Sequence, residues 1–172
     1  LIKMSPVTEH HDSLTIYLRT LLDTYFHFRP IGHARNAPFV MRVDATESRR
    51  EPDLQVILKD NLGKLTDTAM IGAADICIEV VSAESAERDH STKLVEYEKG
   101  GVREYWIIDP AQNESRFLRL VDGRYVDVTI DDQENYRTPL LPDFGLHVPT
   151  LWQETLPAPP QIVDTVQQML TQ

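Results

Sequence analysis

Between Glu51 and Pro110 the chain sets carboxylates into apolar runs of strand length. Pro52-Asp53 opens Leu54-Gln-Val-Ile-Leu58, and a second run, Asp75-Ile-Cys-Ile-Glu79-Val-Val81, carries two acids. A third run, Tyr105 to Ile108, comes after Lys93 and Gly100-Gly101 and closes on Asp109-Pro110. Runs of this kind fill a core, and an ionised carboxylate among apolar side chains is costly unless something compensates it. A divalent cation shared by several carboxylates is one such compensation. Pairing with a buried arginine is another. Two strands with one inward acid each, followed by a lysine, point to a hydrolytic metal site.

Spacing narrows the candidates. Side chains alternate along a strand, so Asp75, Cys77, Glu79 and Val81 share one face. Asp75 and Glu79 are four residues apart, about 13 Å at the strand rise. One ion cannot reach both without a bend. Asp53 is therefore paired with Glu79, if their strands are neighbours. Asp75 is left to support the site from outside the ligand set or to mark the strand entry. Lys93 falls on a predicted helix, from which its ammonium could return to the carboxylates and stabilise charge on a phosphoryl group. Tyr97 follows one helical turn later on the same face. On chemistry alone the alternative stands beside this reading: Asp53 and Asp75 as exposed strand ends, Glu79 paired with a buried arginine, and Lys93 as a solvated helix lysine.

Other chemistries find little support. His10-His11 precede the first predicted helix, and His33 and His147 are isolated. No His/Cys spacing suggests zinc, and no glycine-rich phosphate loop occurs. Ser82 and Ser85 have no histidine at a useful spacing for nucleophilic catalysis. The single cysteine, Cys77, excludes an internal disulfide and reads as a buried, inert thiol. No apolar run approaches the ~20 residues that cross a bilayer. No secretion signal is evident, and a cytoplasmic setting is expected.

The net charge of -10 argues against a general nucleic-acid binder. The charge is uneven. Residues 1–103 hold 13 Lys/Arg and 16 Asp/Glu, while residues 104–172 hold 4 and 11. The half with the candidate site is close to balanced. Any DNA binding is expected to be weak and sensitive to salt.

The remaining pattern organises the chain. Apolar residues at Leu14, Ile16, Tyr17, Leu18, Leu21, Leu22, Tyr25 and Phe26 predict a helix over 13–27, with start signals at Ser5-Pro6 and Thr8-Glu9 and a stop at Arg29-Pro30-Ile31-Gly32. Strands are predicted over 37–43, 53–58, 75–81 and 105–108. Residues 60–63 read as a turn, and 64–72 as either a short helix or a loop. Asp122-Gly123 predicts a tight turn between strands 116–121 and 125–130. Residues 139–149 read as an extended return. Pro157, Pro159 and Pro160 mark a linker before a short helix at 162–170. Residues 1–156 are thus read as one domain, and 157–172 as linker and helix. The fold class is α/β, a mixed sheet flanked by helices with an added C-terminal antiparallel hairpin.

The assembled residues resemble a known group. They are Pro52-Asp53, Asp75-x-x-x-Glu79-Val80 with Ser82, Arg88-Asp89-x-x-x-Lys93-Leu94-x-x-Tyr97, and Gly101-Val-Arg-Glu-Tyr-Trp-Ile-Ile-Asp-Pro110. This pattern is similar to that of the Uma-type restriction endonuclease family, within the PD-(D/E)xK nuclease superfamily. The Gly-Val-Arg-Glu-Tyr-Trp block is its most specific part, and the likeness extends from about Ser5 through His11 and ends near Trp152. The resemblance implies a restriction-endonuclease-like fold and a site for Mg²⁺ or Mn²⁺. It implies Asp53, Glu79 and the Val80 carbonyl as ligands, with Lys93 as the catalytic lysine relocated to the next helix. Hard oxygen donors suit those ions. The chain departs from the superfamily pattern at Val81, where lysine is usual, and Lys93 would restore that charge.

The expected function is metal-dependent hydrolysis of DNA phosphodiester bonds by Asp53, Glu79 and Lys93, with Asp75 and Tyr97 in support. DNA is the expected partner and no membrane is, and a homodimer is left open. The alternative is a nuclease fold without catalysis, serving in binding or assembly.

Overall fold

In the computed structural model the chain is described over residues 8–171. Helix α1, Glu9–Phe28, begins at Thr8, whose side chain accepts a hydrogen bond from the His11 amide at 3.2 Å. Glu9 and Asp12 in its first turn complement the helix dipole. Ser5 and Pro6 lie outside the described residues. The apolar face predicted from spacing is buried at Leu14, Tyr17, Leu18, Leu21, Leu22, Tyr25 and Phe26. Ile16 is the exception, at the margin of that face and 57% exposed.

The main sheet has six strands, in order β1 (Gly32–Asn36), β4 (Leu54–Leu58), β6 (Ile76–Val80), β7 (Glu104–Asp109), β8 (Glu114–Val121) and β9 (Arg124–Asp127). Only β6 and β7 run parallel, as the helical crossover between them requires. That crossover is a π-helical turn, Arg88–Thr92, running into α2, Lys93–Gly100. Asp122 and Gly123 both have positive φ, 49° and 79°, as a tight hairpin turn demands. The β8–β9 hairpin is not a separate appendage. It extends the main sheet beyond β7.

Both faces of the sheet are covered, and alternate side chains feed two cores. Leu54, Val56, Ile76, Ile78, Val80, Trp106 and Ile108 pack with α1. Ile57, Cys77, Val81, Tyr105 and Ile107 pack with Tyr97 of α2. A small sheet covers the α2 side, in order β3 (Ser48–Arg50), β2 (Val40–Val43), β5 (Ala69–Ile71). It contributes Met41, Val43 and Met70 to the second core. A two-stranded ribbon, β10 (Asn135–Arg137) with β11 (Gly145–His147), and helix α3 (Pro159–Thr171) complete the chain. Ile162 and Val166 of α3 are buried in the α1 core.

The segment 60–63 forms part of a 3₁₀ turn, and the ambiguous stretch 64–72 contains β5, whose parallel partner is β2. The predicted strand 37–43 is shorter and begins at Val40, after Pro38, which has no N–H to give to a ladder.

Helix α2 ends where Gly100 approaches β2. A Cβ built at Gly100 would stand 2.5 Å from Val43 Cγ1, itself buried. Gly101 then takes φ +84° as the left-handed cap. Gly100→Ala should cost about 1–3 kcal/mol through overpacking. Urea unfolding would measure it, and an unchanged midpoint would show that Val43 gives way freely.

Candidate active site

The register of β4 against β6 sets the first relation. Leu54 pairs with Ile78 and Gln55 with Cys77, antiparallel. Continued by one pair, that register places Asp53 opposite Glu79. Asp53 sits just before β4 and its Oδ2 accepts the Val80 amide at 2.8 Å. A carboxylate at a strand entry thus satisfies a main-chain donor of the neighbouring strand.

Glu79 is 2% exposed and points into the α2 face. Its Oε1 accepts the Tyr97 hydroxyl at 2.9 Å, and its Oε2 lies 2.9 Å from Lys93 Nζ. Tyr97 and Lys93 are four residues apart on α2, so one helix face delivers both donors. Burial, reinforced by the Glu79 charge, holds the Tyr97 hydroxyl well above its ordinary pKa. It therefore stays protonated and donates. Val81, also buried, belongs to the apolar cluster on this face. A cation reaching Glu79 comes from the helix above rather than from the strand.

Asp75 occupies the other end of β6. Its Oδ2 accepts the Leu58 amide at 2.8 Å and Asn61 Nδ2 at 3.1 Å, and its Oδ1 is 3.3 Å from Arg103. The sequence spacing between Asp75 and Glu79 is thus kept in the fold, and Asp75 ties the strand entry to the 3₁₀ turn after β4. Cys77 is fully buried between them, and burial pushes its thiol well up in pKa.

One residue was not assigned to the site from its sequence. His11, in the first turn of α1, places Nε2 3.3 Å from Asp53 Oδ2. The Asp53 hydrogen bond raises the imidazole pKa against the opposing effect of burial, and the main chain of Val80 adds to the rise. Asp53 is thereby held from the α1 side and Glu79 from the α2 side. The partners of His11 lie 42 and more residues away in sequence, and only the docking of α1 brings them together.

The donor set decides which ion would fit. Among the described residues, no group of three or more His, Cys, Asp and Glu is arranged to hold a metal. An ion here would rest on two carboxylates completed by main-chain oxygen and water. That is the partly hydrated, oxygen-only environment that Mg²⁺ prefers.

Comparison with known proteins agrees with this architecture. Residues 1–149 match the Uma2 family, described as "Putative restriction endonuclease". A crystal structure from Anabaena variabilis, titled as a putative nuclease belonging to DUF820, superposes with a TM-score of 0.72 at 14% identity, covering 86% of this chain and 83% of that one. At that identity the likeness speaks for the fold. No curated protein matches the sequence.

Proposed function

The chain belongs to the Uma2 family of restriction endonuclease-type proteins, and from that premise we propose that it hydrolyses DNA phosphodiester bonds with a bound divalent metal. The observation that carries the reading is the Glu79 cluster. A buried strand carboxylate is met at 2.9 Å by a lysine from the following helix, with Asp53 across the strand pair. Asp53, Glu79 and the Val80 carbonyl would hold Mg²⁺ or Mn²⁺. The ion supplies Lewis-acid charge and a more acidic bound water.

The chain's own groups have separate tasks. Val80 N–H fixes the Asp53 carboxylate, and Tyr97 fixes that of Glu79. Lys93 provides an ammonium held at Glu79 on a side chain 14% accessible. It can orient a nucleophile and stabilise negative charge on phosphoryl oxygens. Asp75 acts at a distance, by fixing the entry of β6.

The non-catalytic alternative draws on the net charge of -10 and on Val81. The position of Lys93 weighs against it, because the missing strand ammonium is replaced at the same carboxylate. Metal binding tests the reading without needing turnover. A ligand at a hundred times its Kd stabilises by about 2.7 kcal/mol. For a domain of this size that raises Tm by roughly 5–10 °C. Mg²⁺ or Mn²⁺ should produce such a rise, and Glu79→Ala should remove it. A flat melting temperature across a wide titration would refute the metal site.

A further inference from the structure

We propose that the small sheet beside α2 is the platform that grips the DNA phosphate backbone, with Arg49 and Arg42 as its contacts. The inference rests on the nucleic-acid reading above and adds where the substrate lies. In this acidic protein, eight arginines are committed to carboxylates. Arg42 and Arg49 have no carboxylate partner among the described residues. They stand directly opposite each other in the β2–β3 register, and both are exposed. Like charges at opposed positions destabilise a strand pair, so this placement weakens the sheet unless an anion lies over both.

The location gives that anion an identity. Met41 and Val43 face the core, so alternation turns Arg42 outward, and its partner Arg49 lies on the same outward face. Arg49, Arg50 and Lys93 line one concavity of about 400 Å³, together with Val40 and Glu51. Within it, Arg50 is engaged by Glu96 through two bonds of 2.6 and 2.7 Å. Lys93 reaches Glu79. Arg49 is therefore the cation of this concavity that no carboxylate engages, and Arg42 stands beside it as its register partner on β2. A row from Lys93 through Arg49 to Arg42 suits successive phosphates of a strand whose reacting phosphate sits at Lys93. Guanidinium groups bind phosphate through paired hydrogen bonds. The contact reads backbone and not bases, so it supplies register without sequence preference.

The test is equilibrium binding of a labelled DNA duplex across a salt series, without divalent metal so that no cleavage intervenes. Arg42→Gln/Arg49→Gln is compared with Lys59→Gln/Lys99→Gln, which removes the same charge from exposed positions elsewhere. Circular dichroism checks that both variants fold. Each lost phosphate contact lowers the slope of log K against log salt by about 0.9. The arginine variant should lose about 1.8 in slope, and roughly 10- to 30-fold in affinity near physiological salt. The lysine variant should stay near wild type. Equal behaviour of the two variants would overturn the platform, as would a wild type that binds no duplex even at low salt. Arginine-dependent binding of single-stranded RNA alone would overturn its assignment to DNA. Arginine-dependent duplex binding in a protein that never cleaves would support the platform and sink the hydrolytic reading instead.

Discussion

Glu79→Ala should abolish cleavage of DNA and metal binding together, whereas Lys93→Ala should abolish cleavage and leave metal binding in place. The two groups touch at 2.9 Å, yet their chemistry separates them. A carboxylate is a ligand for a hard cation, and an ammonium is not. Loss of a group that stabilises transition-state charge costs on the order of 10²–10³ in rate. Asp53→Ala should resemble Glu79→Ala. Because Glu79→Ala strands the Tyr97 hydroxyl and Lys93 in a buried setting, the isosteric Glu79→Gln is the second variant. It retains shape and an acceptor but forfeits the charge. Nicking of supercoiled DNA in Mn²⁺, read beside isothermal titration with the same ion, gives both quantities. Equal residual nicking in wild type and Glu79→Gln would identify a contaminant and defeat the assignment. Metal binding lost in Lys93→Ala would show that the ammonium organises the ligands and not the phosphate.

The division between what sequence reveals and what it conceals follows the range of the forces. Helix α1, strands β4, β6 and β7, and the β8–β9 hairpin carry strong periodicity or turn chemistry of their own, and each was legible. Strand β1 was not. Gly32-His-Ala-Arg-Asn36 buries fully only Gly32 and Ala34, and its strand form comes from five residue pairs with β4. Strands β3, β5 and β10, three residues each, are too short to show a period. The pairing of Asp53 with Glu79 could be posed from sequence only as a condition on strand adjacency, and the β4–β6 register meets that condition. The contact of His11 with Asp53 could not be found. A histidine at a helix start has no local signature of a bond formed across the fold. The free arginines were hidden for a related reason. Their meaning lies in which carboxylates the other arginines have taken, and that is settled only by tertiary contacts.

Replacing Glu104 should destabilise the fold more than any substitution at the site. The side chain is fully buried and its two oxygens accept four donors. Oε2 takes Trp106 Nε1 at 2.9 Å and the Tyr136 hydroxyl at 2.8 Å. Oε1 takes Thr138 Oγ1 at 2.6 Å and Arg119 Nε at 2.9 Å. The carboxylate thereby fastens the ribbon at Tyr136 to the main sheet, and no lone pair is left unused. Glu104→Ala removes the acceptor and leaves buried donors and a partly buried arginine without it, a loss of about 3–5 kcal/mol. At this chain length that corresponds to a fall in Tm of roughly 6–20 °C. Glu104→Gln should also be destabilising, since its amide would face two donors with a donor of its own. Strand register keeps this effect away from catalysis. Glu104 lies beside Ile76, whereas Glu79 lies beside Ile107 at the other end of the same parallel pair. The variant should therefore melt early but retain wild-type metal affinity while folded. Calorimetry and metal titration well below its Tm would separate the two. An unchanged Tm would mean that water replaces the carboxylate in full, and a lost metal affinity would mean that the two ends of β6 are coupled.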